Sequence, residues 1–337
     1  VSGGMRGLGR AGRSRGRRRA RSARRPRPAP LPLSRLLGGA LTRLLGGALT
    51  RLAERRARRE ESRSAGDAGR SLYRLHPDGR GVRYHVYAGG LRRGGPGGVV
   101  VYLDGDYWLP ALSRFHRPRG RTMRGLAATA AEHGAALVAV DTPDRAVGVG
   151  GLTWWVRHRE NARWLRGFLD VLPTLLPFRP RHIWVMGYSG GAELLAAELR
   201  RLLPSGAGPG ETDPADAGAW ETVSAGADPG EAEPAEGPAV PLAGAVMVGG
   251  GDPGNAPVPP PGEHAGLPLL WWIGDRDGSP DPPRPLWSAA RAAQRGATAY
   301  RAAGWTGASL RVVPGTGHRS YDLPAVLRAS LARGGRG

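Results

Sequence analysis

From about residue 71 onward, short apolar runs alternate with longer stretches of helical spacing, the pattern of a mostly parallel sheet whose strands are linked by helices. Eight strands are expected. Those at 71–76 and 82–88 alternate in polarity, whereas 99–103, 136–140, 183–186, 245–248, 269–273 and 310–313 are apolar runs suited to burial on both faces. Between them Leu165, Phe168, Leu169, Leu172, Leu175 and Leu176 share one helical face. A second helix is expected to begin just after Ser189 and to run through Leu195, Leu199 and Leu202 to Pro204.

Two segments break this rhythm. Residues 1 to about 30 are Arg, Gly, Ser and Pro with little apolar periodicity, so a disordered extension is expected, running to about residue 65. It contains the octapeptide RLLGGALT twice in succession, at 35–42 and 43–50. An eight-residue period does not hold one helical face, because it drifts by about 80° per repeat. The second segment, 204–240, is Pro, Gly and Ala with eight acidic residues and no basic one, and reads as a flexible surface insertion. The expected organisation is therefore an extension over 1–65 and an α/β domain over 66–337 that carries this insertion.

Composition changes the picture mainly through its distribution. The net charge of +21 resembles that of a nucleic-acid binder, but residues 1–60 hold 18 Arg against Glu54 and Glu60 and so carry +16 of it. The basic character thus belongs to the extension and not to the domain; the extension reads first as a poorly constrained leader, with contact to nucleic acid or an anionic membrane as the lesser alternative. All the basic residues are Arg, which together with abundant Ala, Gly and Pro reads as codon bias. The lack of cysteine excludes disulfides, thiolate nucleophiles and Cys-ligated metals. Arg35, Arg43 and Arg51 interrupt any secretion signal, so a cytoplasmic location is expected, with twin-arginine export as the alternative.

Candidate chemistry centres on Gly187-Tyr188-Ser189-Gly190-Gly191. With 55 Gly and 16 Ser, such a GxSxG pentapeptide arises about 0.4 times by chance, so its setting matters more than its letters. An expected strand ends just before Ser189 and an expected helix starts just after it. That is the nucleophile elbow of an α/β-hydrolase fold, here a mostly parallel eight-stranded sheet with helices on both faces. Serine needs a base, and of the eight histidines His318 alone sits in a Gly-rich turn after the last expected strand. His76, His85, His133, His158 and His182 fall on expected strands or helices, while His116 and His264 lie in loops and are not chosen for the site. The acid should follow a strand between Ser189 and His318. Asp277 is preferred for its Gly-x-x-Asp spacing, Asp275 is the alternative, and Asp252 comes third. Acyl chemistry also needs oxyanion donors, and the N–H of Gly190, at a helix start, supplies one.

The strand followed by Asp104-Gly105-Asp106-Tyr107-Trp108, the helix ending Leu172-Pro173, and the GYSGGA segment together resemble the serine esterase group that includes enterochelin esterase, esterase D-like enzymes and the mycolyltransferases. The resemblance covers roughly 71–335 apart from the insertion. It implies that the backbone N–H of Asp106 completes the oxyanion hole, with no demand on its side chain. Tyr107, Trp108 and Tyr188 are candidates for the pocket, whereas the pairs Trp154–Trp155 and Trp271–Trp272 read first as core or lid packing, with pocket lining as the alternative. The glycines at 249–251 lack the helix a dinucleotide site needs. No cofactor and no metal are expected. The expected activity is hydrolysis of a small-molecule carboxylic ester through an acyl-enzyme, with acyl transfer by the same triad as the near alternative. A non-catalytic scaffold carrying the basic extension is the alternative of another class.

Overall fold

A computed structural model describes residues 70–75, 81–89, 97–145, 151–176, 178–203, 240–255, 258–278 and 288–334. The expected extension over 1–65, its repeat and the partners assigned to it lie outside the described residues, as does the acidic insertion up to residue 239.

All eight expected strands are present: β1 (Arg70–Leu75), β2 (Gly81–Tyr87), β3 (Gly98–Leu103), β4 (Ala135–Val140), β5 (Ile183–Tyr188), β6 (Leu242–Val248), β7 (Leu269–Gly274) and β8 (Ala308–Val313). They form one sheet in the order β1-β2-β4-β3-β5-β6-β7-β8. Strand β2 runs antiparallel to both β1 and β4, and every other pairing is parallel. Strands β3, β4 and β5 are buried along their whole length, which is why they read as unbroken apolar runs.

Five α-helices lie among the described residues: α1 (Arg121–Glu132), α2 (His158–Leu175), α3 (Gly190–Leu202), α4 (Ala289–Ala302) and α5 (Leu323–Gly334). Strand side chains alternate between faces, and the core divides accordingly. Val99, Val101 and Leu103 pack with Trp164, Leu165 and Phe168 of α2, Leu195 of α3 and Tyr300 of α4. Val100 and Tyr102 point the other way, toward Met123 and Leu126 of α1 and Leu323 and Leu327 of α5. This strand order, with helices on both faces, is the α/β-hydrolase fold. Its parallel connections bring the carboxyl ends of β3, β5, β6, β7 and β8 to one side of the sheet, where such folds carry their chemistry.

The tryptophan pairs follow the core-packing reading more than the pocket-lining one. Trp154 and Trp271 are core residues, packed respectively on Trp164 and Tyr300, and the indole N–H of Trp271 is donated to Gly251 O. Trp272 lies on the opposite face of the sheet and bonds Ser330 Oγ. Adjacent strand residues must face opposite ways, so a Trp-Trp pair on β7 cannot share one pocket wall. Trp155 alone of the four is exposed, stacked on His158. Among the described residues no helix is long and apolar enough to cross a membrane.

Candidate active site

Strand β5 ends at Tyr188 and α3 starts at Gly190, leaving Ser189 alone to turn the chain. It does so at φ 51°, the only non-glycine residue with positive φ among those described. For an L-residue such a conformation costs on the order of 1–3 kcal/mol and persists only where packing over-determines it. The packing here is glycine against backbone. A Cβ on Gly187 would lie 2.4 Å from the carbonyl carbon of Gly191, and one on Gly191 would lie 2.7 Å from Leu103 O. The Ser189 N–H is held by Val248 O at 2.8 Å, so the elbow is fastened to β6 as well.

His318 follows β8 in a turn closed by Ser320 N–H to Gly317 O at 3.0 Å and Gly317 N–H to Ser320 Oγ at 2.8 Å. Its Nε2 lies 3.0 Å from Ser189 Oγ, and its Nδ1 lies 3.0 Å from Asp277 Oδ1 and 3.2 Å from Oδ2. Asp277 is buried behind β7, its own N–H turned back onto Gly274 O. The alternative, Asp275, points to the surface, where backbone N–H groups of Gly315 and Thr316 hold its carboxyl below the usual range. Asp252 is engaged elsewhere, by Arg295 and by the N–H of Gly254. A neutral His318 with its proton on Nδ1 therefore presents an unprotonated Nε2 to the Ser189 hydroxyl.

The loop after β3 lies directly against this serine. A Cβ on Gly105 would be 3.1 Å from Ser189 Cβ, and one on Gly190 would overlap the Asp106 carboxylate. Gly190 is the first residue of α3, so its N–H has no acceptor within the helix. The Asp106 side chain has a part of its own, separate from the backbone donor role that the resemblance implies. Part of the residue reaches the surface, but its carboxylate is lodged against the segment before α2. There Oδ1 accepts the Trp154 N–H at 2.9 Å and Oδ2 the Thr153 hydroxyl at 3.1 Å. Loss of water around it pushes its pKa up to about 6. Tyr107 extends the same junction through a two-way backbone bridge with Leu152.

Beneath the loop sits a polar cluster that the sequence did not disclose. Buried Asp104 accepts bonds from Tyr102 OH, Tyr107 OH, Ser113 Oγ, the N–H groups of Arg114 and Phe115, and the Arg114 guanidinium. Arg114 in turn lies 4.2 Å from the centre of the Tyr188 ring, a cation–π contact. The Tyr188 hydroxyl is donated to His318 O at 2.5 Å. The hydroxyls of Tyr188 and Tyr107 are thus held within the frame around the site by hydrogen bonds. Trp108, by contrast, stands 60 % exposed beside Asp106.

The two loop histidines, not chosen for the site from the sequence, are also placed. His116 is half-buried against Arg83 and Asp141, and His264 lies on a short 3-10 turn beside Glu263. Neither contacts the Ser189–His318–Asp277 group. Among the described residues no cluster of three or more His, Cys, Asp or Glu side chains could hold a metal ion.

No family model and no curated protein matches the chain. Among solved structures, similarity is found to a dienelactone hydrolase from Anabaena variabilis, at 14% identity over 80% of this chain and 96% of that one, with a TM-score of 0.47. A lidless α/β serine hydrolase from Xanthomonas campestris is 15% identical over 80% and 95% of the two chains, with a TM-score of 0.45. A Bacillus cereus carboxylesterase is 15% identical over 82% and 99%, with a TM-score of 0.42. The fold assignment rests on the strand order and connections described above.

Proposed function

We propose that this chain is a serine hydrolase that cleaves a carboxylic ester through an acyl-enzyme. The observation that carries the reading is the unbroken contact Ser189 Oγ to His318 Nε2 and His318 Nδ1 to Asp277, on a serine held at positive φ. In the first step His318 Nε2 takes the hydroxyl proton while Oγ attacks the ester carbonyl. Asp277 keeps the imidazole oriented and stabilises the imidazolium without taking its proton. The backbone N–H groups of Gly190 and Asp106 are the proposed donors to the resulting oxyanion. Collapse expels the alkoxide, which takes its proton from His318, and leaves the acyl group on Ser189. Water, activated by the same His318, then releases the acid. An acceptor alcohol in place of water would give acyl transfer with no change in these residues.

The substrate is proposed to carry a substantial apolar group. Exposed large apolar side chains are few among the described residues, and Trp108, Leu112, Trp155 and Val156 lie on the two segments that Asp106 ties together. Apolar surface concentrated beside a reactive centre favours binding over chance exposure.

Turnover of p-nitrophenyl esters of increasing acyl length by the intact chain, Ser189→Ala and His318→Ala tests the reading. Hydrolysis by the intact chain that falls by three or more orders of magnitude in both variants is expected. Equal rates in all three would overturn it, and product trapped on an added alcohol instead of water would select acyl transfer.

A further inference from the structure

Three residues beyond His318, Tyr321 returns beneath the site with its ring buried edge-on to Tyr188. Its hydroxyl makes two bonds whose directions are fixed by the atoms available. The Gly274 N–H lies 2.7 Å away and has only a proton to give, so the hydroxyl oxygen accepts there. The single hydroxyl proton is then committed to Asp277 Oδ2 at 2.5 Å. Burial and the Asp277 charge both push the Tyr321 pKa up, so the proton stays on the phenol. The geometry leaves Asp277 Oδ1 as the nearer acceptor for His318 Nδ1.

We propose that Tyr321 is a positioning residue that acts through Asp277, fixing which carboxylate oxygen faces His318 and weakening that carboxylate as a partner for the imidazolium. A charge-assisted bond from a phenol draws electron density from the carboxylate, so His318 holds its proton less tightly than it would beside an undistracted Asp277. The inference rests on the triad reading above for its catalytic meaning.

Among the described residues, the named groups around the pair act elsewhere. Tyr188 donates to the His318 backbone carbonyl and not to Asp277, and the charges beyond it, Arg114 and Asp104, offset one another. Asp275, Arg276 and Arg319 are exposed to solvent. On the remaining side the chain passes as Gly249, at φ 63°. A Cβ there would lie 3.1 Å from the Tyr321 ring, 3.3 Å from Asp277 Oδ2 and 3.4 Å from His318 Cε1. A glycine at this point lets the backbone close over the tyrosine–aspartate contact, as the glycine run at 249–251 had given no reason to expect.

The test is the titration of His318, followed by NMR on histidine-labelled protein and assigned with His318→Gln, in the intact chain and in Tyr321→Phe, alongside kcat/KM against pH. The midpoint of His318 is expected to rise by about half to one pH unit in Tyr321→Phe, and the acid limb of kcat/KM to move with it. Because the phenylalanine also strips Gly274 N–H of its acceptor, a second protein carries 3-fluorotyrosine in place of Tyr321. That side chain keeps both bonds and donates more strongly, so the midpoint should fall. An unchanged midpoint in either folded protein, whatever happens to kcat, means that Tyr321 only supports the fold and overturns the proposal. A shifted midpoint in a chain that turns over no ester would uphold the Tyr321–Asp277–His318 coupling while removing the esterase reading.

Discussion

Gly187 and Gly191 approach so closely that a Cβ on the first would stand 2.4 Å from the carbonyl of the second. That contact lets β5 and α3 converge on Ser189, and through it the strain at the serine is held. The obstructing atoms are backbone and cannot swing aside. Gly187→Ala is therefore expected to lower stability by on the order of 3 kcal/mol and to abolish ester turnover. Gly266→Ala, where a Cβ meets nothing within 4 Å, should be neutral. Urea melts of the two variants compare them, and equal midpoints would contradict this account of the elbow.

Asp106 is expected to matter through its side chain. Asp106→Asn can keep the Trp154 N–H bond through its carbonyl and loses only the acceptor of the Thr153 hydroxyl, so it should retain most activity. Asp106→Ala frees the loop and should cut kcat by tenfold or more, since bonds to a charged group contribute about 1.5–3 kcal/mol. Steady-state kinetics of the pair decide the point. Wild-type kcat in the alanine variant would leave the backbone alone responsible.

The exposed rim makes a prediction about selectivity. Replacing Trp108 by Ala should raise KM for long-chain or aryl esters severalfold while leaving acetate esters little changed, because only the former reach over the rim. A uniform change across the series would remove Trp108 from substrate binding.

Acid should destabilise the domain through two histidines. Burial lowers the pKa of His85 and of His116 from 6.5 to about 4, and the neighbouring Arg83 reinforces both shifts. The unfolded chain takes up these protons below pH 6.5, whereas the folded one resists until about pH 4. Stability is therefore present above the unfolded value and lost as pH falls through this window, by up to about 3 kcal/mol per residue. In His85→Gln, whose amide can still donate to Phe115 O, roughly half of this loss between pH 7 and pH 4.5 should disappear from chemical-denaturation curves.

What the sequence disclosed and what it hid follow from range. The eight strands were legible because burial on two faces writes continuous apolar runs, and the elbow because glycine, serine and two flanking elements are local. Helices α1, α4 and α5 were much less visible. The buried face of α4 is Ala289, Ala292, Ala293, Gly296, Ala297 and Tyr300, so small residues carry its packing and its apolar period is weak. The acid was ambiguous because Asp275 and Asp277 share one turn, and what distinguishes them is long-range: Asp277 faces His318 and the Tyr321 hydroxyl, whereas Asp275 faces the surface. The Asp104–Arg114–Tyr188 cluster joins β3, its following loop and β5, a relationship no sequence window contains.

The central claim is that Ser189 is the nucleophile, and covalent capture tests it most directly. The intact chain is treated with a fluorophosphonate and the adduct is located by peptide mass spectrometry. A single adduct on Ser189 is predicted, absent in Ser189→Ala and formed far more slowly in His318→Ala. A folded intact chain that takes up no probe, or an adduct that persists in Ser189→Ala, would contradict it.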